Sequence, residues 1–301
     1  MGTATAVPIF IGRYIMTCNL CPRNCNTDRQ NGVGYCKTDN QIRISRIAPH
    51  YWEEPCISGT KGSGTVFFCG CNMGCVFCQN RIISCGGQIG KVYSAPQLAE
   101  AMESLQSQGV HNINLVTPTH YIPQISKALQ VANLSIPVVY NTSGYEKAES
   151  LSLIADKIQI YLPDYKYHSA QLAARLSNAP DYPQRALDAI EFMLKKRSEN
   201  RFNDEGIMTE GVIIRHLVLP GETDDSMKAL KDLKERFGSD ITVSIMNQYT
   251  PRGNLAPPLD RGVSEDEYEL VLDYADFLGL KKGYRQEGGA VSESFIPHFD
   301  L

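Results

Sequence analysis

The chain has 301 residues, 43% of them hydrophobic and 21% charged, which are ordinary values for a globular protein of one large or two small domains. No run approaches the ~18 uninterrupted apolar residues of a membrane span, and no basic stretch followed by a long apolar run opens the chain, so neither a membrane nor export is expected. The net charge of −4 speaks against nucleic acid as the main partner, and the ten cysteines, none of them beyond Cys85, are expected to serve metal or redox chemistry in the cytoplasm rather than disulfides.

Residues 1–60 show little periodicity. Turn formers (Pro22, Asn24, Asn26, Asn31, Gly32, Gly34) stand between Cys18, Cys21, Cys25 and Cys36. That spacing, C-x2-C-x3-C-x10-C, is a strong metal signal, and four thiolates serve structural zinc or a second iron–sulfur cluster equally. This loop-rich metal-binding segment is expected to pack on the side or bottom of the remainder, residues 61–301. A short strand is expected over 42–47 from alternating apolar and polar residues.

From residue 64 strands and helices alternate. Strands are expected over 65–69, 113–116, 137–140, 158–162, 211–219 and 241–246. Helices are expected over 95–108, with Ser94 as N-cap, and over 122–132, 146–154, 186–196, 226–237 and 266–278. Residues 197–206 read as a polar surface loop. Six strand–helix units in succession argue for an α/β fold with a mainly parallel sheet and helices outside. The pattern leaves open whether that sheet closes partly into a barrel.

Cys71, Cys75 and Cys78 form C-x3-C-x2-C at the carboxyl end of the first of these strands, where α/β folds place their sites. Three such thiolates can bind three irons of a cubane cluster and leave the fourth iron free; a zinc knuckle is the alternative from spacing alone. The stretch from Gly70 to Asn80, with Phe77 before the last cysteine, resembles the signature of the radical S-adenosylmethionine (SAM) superfamily. The chain from residue 56 onward resembles the branch related to pyruvate formate-lyase activating enzyme. The cysteine run from Cys18 to Cys36 is similar to the prologue of a subgroup of that branch.

The resemblance implies a partial (β/α)6 TIM-like barrel and a [4Fe–4S] cluster on Cys71, Cys75 and Cys78. It implies reductive cleavage of SAM to a 5′-deoxyadenosyl radical that abstracts hydrogen. The expected role is activation of a glycyl-radical partner protein, with a reductant such as flavodoxin or ferredoxin; modification of a small molecule or another protein side chain is the alternative. For SAM contacts it points to Phe77, to Asn141 and Ser143 after the third strand, and to Asp164 and Lys166, which match a D-x-K element. In the apolar fifth strand, Arg215 and His216 are adjacent, and His216 is favoured for the ligand.

One departure stands out. Where the superfamily carries a Gly-Gly-Glu type element at the end of the second strand, this chain has Val116 to Tyr121, which leaves Thr117, Thr119 and His120 as the candidates for the SAM amino group. The segment 247–251 and residues Arg285, Gln286 and Glu287 are expected to line the cavity or close the barrel.

Overall fold

In the computed structural model, residues 17–286 and Phe299 are described. Chain direction explains the architecture. β1 (Ile42–His50) runs antiparallel to β2 (Ser63–Phe68) and, on its other side, to β3 (Lys91–Tyr93). From β2 the sheet turns parallel, through β4 (Ile113–Val116), β5 (Val138–Thr142), β6 (Ile160–Pro163) and β8 (Met208–Val212), with β7 (Arg201–Phe202) as an antiparallel edge. A second parallel set contains β9 (Ile214–Leu217), β10 (Val243–Met246) and β11 (Gly283–Arg285). The two sets join at a parallel bridge between Asp164 and Arg215, where Tyr165 N–H donates to Arg215 O at 2.8 Å. The result is an open, barrel-like wall with helices outside.

The sequence suggests one strand over 211–219; the structure splits it into β8 and β9. Asn200 is the cause. Its side chain accepts from Val212 N at 2.8 Å and donates to Thr242 Oγ1 at 2.7 Å. A Cβ on Gly211, whose φ is 137°, would strike Asn200 Oδ1, so only glycine lets that side chain in. Before this point the chain pairs with β6, and after it with β10. The expected surface loop over 197–206 therefore contains an edge strand and a side chain that the wall needs.

The helices follow the apolar periodicity. α3 (Ala95–Ser107) starts at Ser94 in a capping box with Gln97. α4 (Ile122–Val131), α5 (Ala148–Ser152), α7 (Tyr182–Lys196), α8 (Thr223–Phe237) and α9 (Glu265–Phe277) match the other expected helices within a few residues. Three short ones escape a period-based reading: α1 (Pro55–Ser58), α2 (Arg81–Ser84) and α6 (Ala170–Ser177).

Strand alternation divides the core in two. Val66, Phe68, Leu115, Val138, Tyr140, Tyr161 and Ile214 face the helices in the main core. Val139, Ile160, Leu162 and Ile213 point inward and meet Ile57 of α1, so α1 seals the floor of the barrel, with Ile57 O accepting from Asn112 Nδ2 at 2.7 Å.

Residues 17–41 contain no helix or strand. They sit on the carboxyl-end rim of the barrel, not on its side or bottom. Arg29 there bonds His120 O and Thr38 Oγ1, and Lys147 donates to Asn19 O at 2.9 Å. β1, although inside the first 60 residues, is part of the main sheet.

Candidate active site

β2 ends under the loop that carries Cys71, Cys75 and Cys78. Gly70 begins that loop with φ 85°, and a Cβ there would meet Cys36 O at 2.6 Å. Only glycine permits so close a crossing of the N-terminal segment. The three thiols line one side of a cavity of about 250 Å³. Met73 N–H donates to Cys71 Sγ at 3.4 Å and Ser177 Oγ to Cys75 Sγ at 3.0 Å; Cys78 Sγ lies 3.4 Å from Ser84 Oγ. Burial, then mutual repulsion, pushes Cys71 up to about 12 and Cys78 to about 11. Ionising three thiols this close, one buried and two half-buried, requires a positive partner. Among the described residues no three Cys, His, Asp or Glu side chains form the close cage of a single ion. The donor set suits a cubane instead, because each thiolate of such a cluster holds a different iron.

Opposite the thiols, the barrel wall carries a ladder of charge. Lys166 Nζ bonds Asp164 Oδ2 at 2.5 Å, and Arg215 Nε bonds Asp164 Oδ1 at 2.9 Å. Arg215 continues to Asn141 Oδ1 and, at 3.1 Å, to Glu53 Oε2. Glu53 Oε1 accepts from Asn114 at 3.0 Å and Asn141 at 3.1 Å. Burial alone would raise Asp164, but Arg215 and Lys166 hold it below the usual carboxylate range. Burial raises Glu53 against the pull of Arg215. Lys166 stays protonated despite burial because Asp164 faces it. Each charge is therefore met by an opposite one, which is the condition for burying it.

The structure brings Phe77, Thr117, Asn141, Ser143, Asp164 and Lys166 to the cavity together with the three cysteines. It does not bring Thr119, His120 or His216. His216 is on the helix side of β9, with Nδ1 2.7 Å from Tyr165 O, and burial lowers its pKa. Alternation within the strand turns Arg215 inward instead, reversing the preference for His216. His120 packs behind the rim, with Nε2 2.7 Å from Cys69 O, and burial, then Arg29, pushes it down to about 3. Thr119 donates to the buried Glu146 at 2.5 Å.

Gln286 closes the barrel by donating to Gln248 Oε1 at 3.1 Å. Arg285 pairs with Asp276 away from the cavity, and Glu287 lies outside the described residues. Gln248 and Tyr249 line the cavity; Asn247 does not.

Thr117 has φ 60°, a left-handed conformation that β-branched residues avoid. It stands at the end of β4, the place at which the sequence departs from the Gly-Gly-Glu type element. Glu53 is the residue that sequence reasoning missed. It sits in a loop without periodicity, and its one signal was indirect: an inward Arg215 in an apolar strand needs a carboxylate somewhere.

The model of the radical SAM superfamily matches residues 65–233, more than half of the chain, from within β2 to within α8. The chain belongs to the radical SAM superfamily. The family binds SAM at a [4Fe–4S] cluster, and membership supports SAM cleavage by radical chemistry. The chain is also 29% identical over 274 residues to an uncharacterized protein of Methanocaldococcus jannaschii, covering 87% of this chain and 75% of that one. Two solved structures resemble it. One is Streptococcus suis SuiB bound to precursor peptide SuiA (TM-score 0.49, 14% identity, 72% of this chain and 47% of that chain). The other is methylornithine synthase, PylB (TM-score 0.47, 16% identity, 69% of this chain and 60% of that chain). The chain thus spans half to three-fifths of the length of these structures, and so distant a likeness says nothing of a shared substrate. Within this radical SAM protein, no helix among the described residues is long and apolar enough to cross a membrane.

Proposed function

We propose that the protein is a radical SAM enzyme that removes a hydrogen atom from a small polar molecule, or from one polar side chain, held inside the barrel. The observation that carries this reading is the juxtaposition, in one cavity, of Cys71, Cys75 and Cys78 with the ladder Lys166–Asp164–Arg215–Glu53. Cys71, Cys75 and Cys78 would hold the cluster. Bound there with SAM, it supplies one-electron cleavage of the sulfonium carbon–sulfur bond and, through it, hydrogen abstraction. Lys166 offers a cation to the SAM carboxylate, and Asp164 fixes the position of its ammonium group. Asn141 and Ser143 present polar groups at the end of β5. Phe67, Phe77, Val116 and Leu217 give the cavity apolar walls, which exclude water from reactive species.

The floor supports a small polar substrate over a backbone loop. An enclosed end with convergent Glu53, Arg215 and Asn141 suits a compact group, whereas a glycyl-radical loop needs an open groove. The second reading, activation of a glycyl-radical protein with flavodoxin or ferredoxin as reductant, is supported by the sequence resemblance to the activating-enzyme branch.

Anaerobically reconstituted protein is expected to convert SAM to methionine and 5′-deoxyadenosine on reduction with dithionite. Cys75→Ser should abolish the product, because one iron loses its thiolate. Product formation at the wild-type rate in that variant would remove the cluster assignment. Transfer of deuterium into 5′-deoxyadenosine from a glycyl-radical protein would select the second reading.

A further inference from the structure

The cysteines outside the cavity are not equivalent. Cys56 packs with Ile57 and Val139 in the inner core, and Cys69 packs with Phe67 and Val116. Cys18, Cys21, Cys25 and Cys36 stand instead in one compact loop, where Cys18 N–H donates to Thr27 O at 2.9 Å, Asn26 N–H to Cys18 O at 3.0 Å and Asn24 N–H to Cys21 O at 3.1 Å.

Two of the four sulfurs flank one glycine: a Cβ on Gly34 would lie 3.3 Å from Cys36 Sγ and 3.4 Å from Cys25 Sγ. Cys25 Sγ in turn lies 4.0 Å from Cys18 O. Asn24 (φ 44°), Asn26 (φ 50°) and Lys37 (φ 66°) flank Cys25 and Cys36 in left-handed conformations.

Between two of these cysteines stands Arg23. Its guanidinium donates to Asn72 O at 2.7 Å, Met73 O at 2.8 Å, Ser177 O at 3.0 Å and Asn178 O. It lies 4.0 Å from the centre of the Tyr35 ring and 5.1 Å from that of Tyr145. Asn72 and Met73 belong to the loop that carries Cys71, Cys75 and Cys78.

We infer that Cys18, Cys21, Cys25 and Cys36 bind a second metal centre through their thiolates, and that Arg23 transmits the order of this centre to the cluster loop. Like the cavity thiols, these four do not form the close cage of a single ion, so the centre they suit is an iron–sulfur cluster, in which each thiolate holds a different iron. The inference does not rest on the proposed reaction, since the second centre can exist whatever the barrel does.

The test removes the cavity cluster first. A Cys71→Ala/Cys75→Ala/Cys78→Ala variant, isolated and reconstituted without oxygen, is expected to keep about four irons with visible absorption that dithionite bleaches; about one zinc and no iron would overturn the inference. Adding Cys21→Ser and Cys25→Ser should remove that metal. Its retention, or a metal-free first variant whose four thiols are disulfide-bonded, would overturn the inference. Because either variant could fold poorly, Arg23→Gln in the otherwise intact protein gives a second readout. It should retain the metal of the N-terminal segment and lose at least half of the iron at Cys71, Cys75 and Cys78; unchanged iron content would break the link through Arg23. SAM cleavage plays no part in either readout, so failure here is distinguishable from failure of the proposed function.

Discussion

The two faces of β5 carry the same problem and solve it differently. On the inner face, Asn141 helps hold the buried carboxylate of Glu53, which also meets the guanidinium of Arg215. On the outer face, Tyr140 and Thr142 donate to the buried carboxylate of Glu146, with Thr119 as a third donor. All three outer donors are neutral. Burial raises Glu146 to about 7, the hydroxyls only partly opposing it. The inner site therefore holds charge beside the cavity, whereas the outer site holds a carboxyl group that is half protonated near neutrality. Counter-charge separates ligand-facing chemistry from packing in this barrel more clearly than residue type does.

Arg215→Ala breaks the inner site and has the larger expected effect. It strands Glu53 and removes one of the two cations that face Asp164, both carboxylates being about nine-tenths buried. Removing one partner of a buried pair costs about 3–5 kcal/mol, to be read as a loss of unfolding free energy in urea. A loss no greater than that of a surface pair such as Lys231–Glu235 would show that the ladder is not a stabilising unit.

Glu146→Gln sharpens the comparison from the other side through pH. The folded carboxyl titrates near 7, whereas an unfolded glutamate titrates near 4.3. Between those values the folded state binds more protons, so its stability falls as pH rises. The contribution is full below pH ~4.3 and is lost through pH ~7, amounting to about 4 kcal/mol over the whole shift. The variant lacks this titration. Urea unfolding at pH 5 and pH 8 should show wild type losing about 3 kcal/mol more than the variant across the interval. Equal slopes would mean that Glu146 is charged throughout, with a counter-ion at its second oxygen.

How much of this was legible follows from the same division. The alternation of the longer strands and helices was readable from 65 to 278, because each of them buries a periodic apolar face; the short α2, β3, α6 and β7 were not, and β3 and β7 bury almost nothing. The cluster loop was readable because its chemistry is local: Cys71, Cys75 and Cys78 lie within eight residues. The ladder was not, since Glu53 and Arg215 meet from positions far apart in the chain. The choice of His216 over Arg215 failed for a related reason. Adjacent strand residues point to opposite faces, and the split at Asn200 that fixes the register of β9 carries no periodic signal. Thr119 and His120 looked available at a strand end, but the N-terminal segment covers that rim, and Arg29 bonds the carbonyl of His120 itself.

The smallest effect is expected at Thr117, where β4 meets the cavity beside Asn141. Its amide donates to Asn141 O at 2.9 Å, which fixes the backbone while φ stays at 60°. A left-handed non-glycine residue costs roughly 1–2 kcal/mol, and glycine in its place gives back about 0.4–1 kcal/mol through the freer unfolded chain. Thr117→Gly should therefore stabilise the fold by about 0.5–1 kcal/mol, seen as a small rise in the urea midpoint with an unchanged slope. If Thr117 serves only the turn, SAM cleavage in the variant keeps its wild-type KM. If its hydroxyl also contacts the ligand, KM rises while stability still improves, and the strain is then retained for binding rather than for folding. A loss of stability would mean that the Thr117 side chain contributes more packing than its conformation costs, and that this strand end belongs with the outer face.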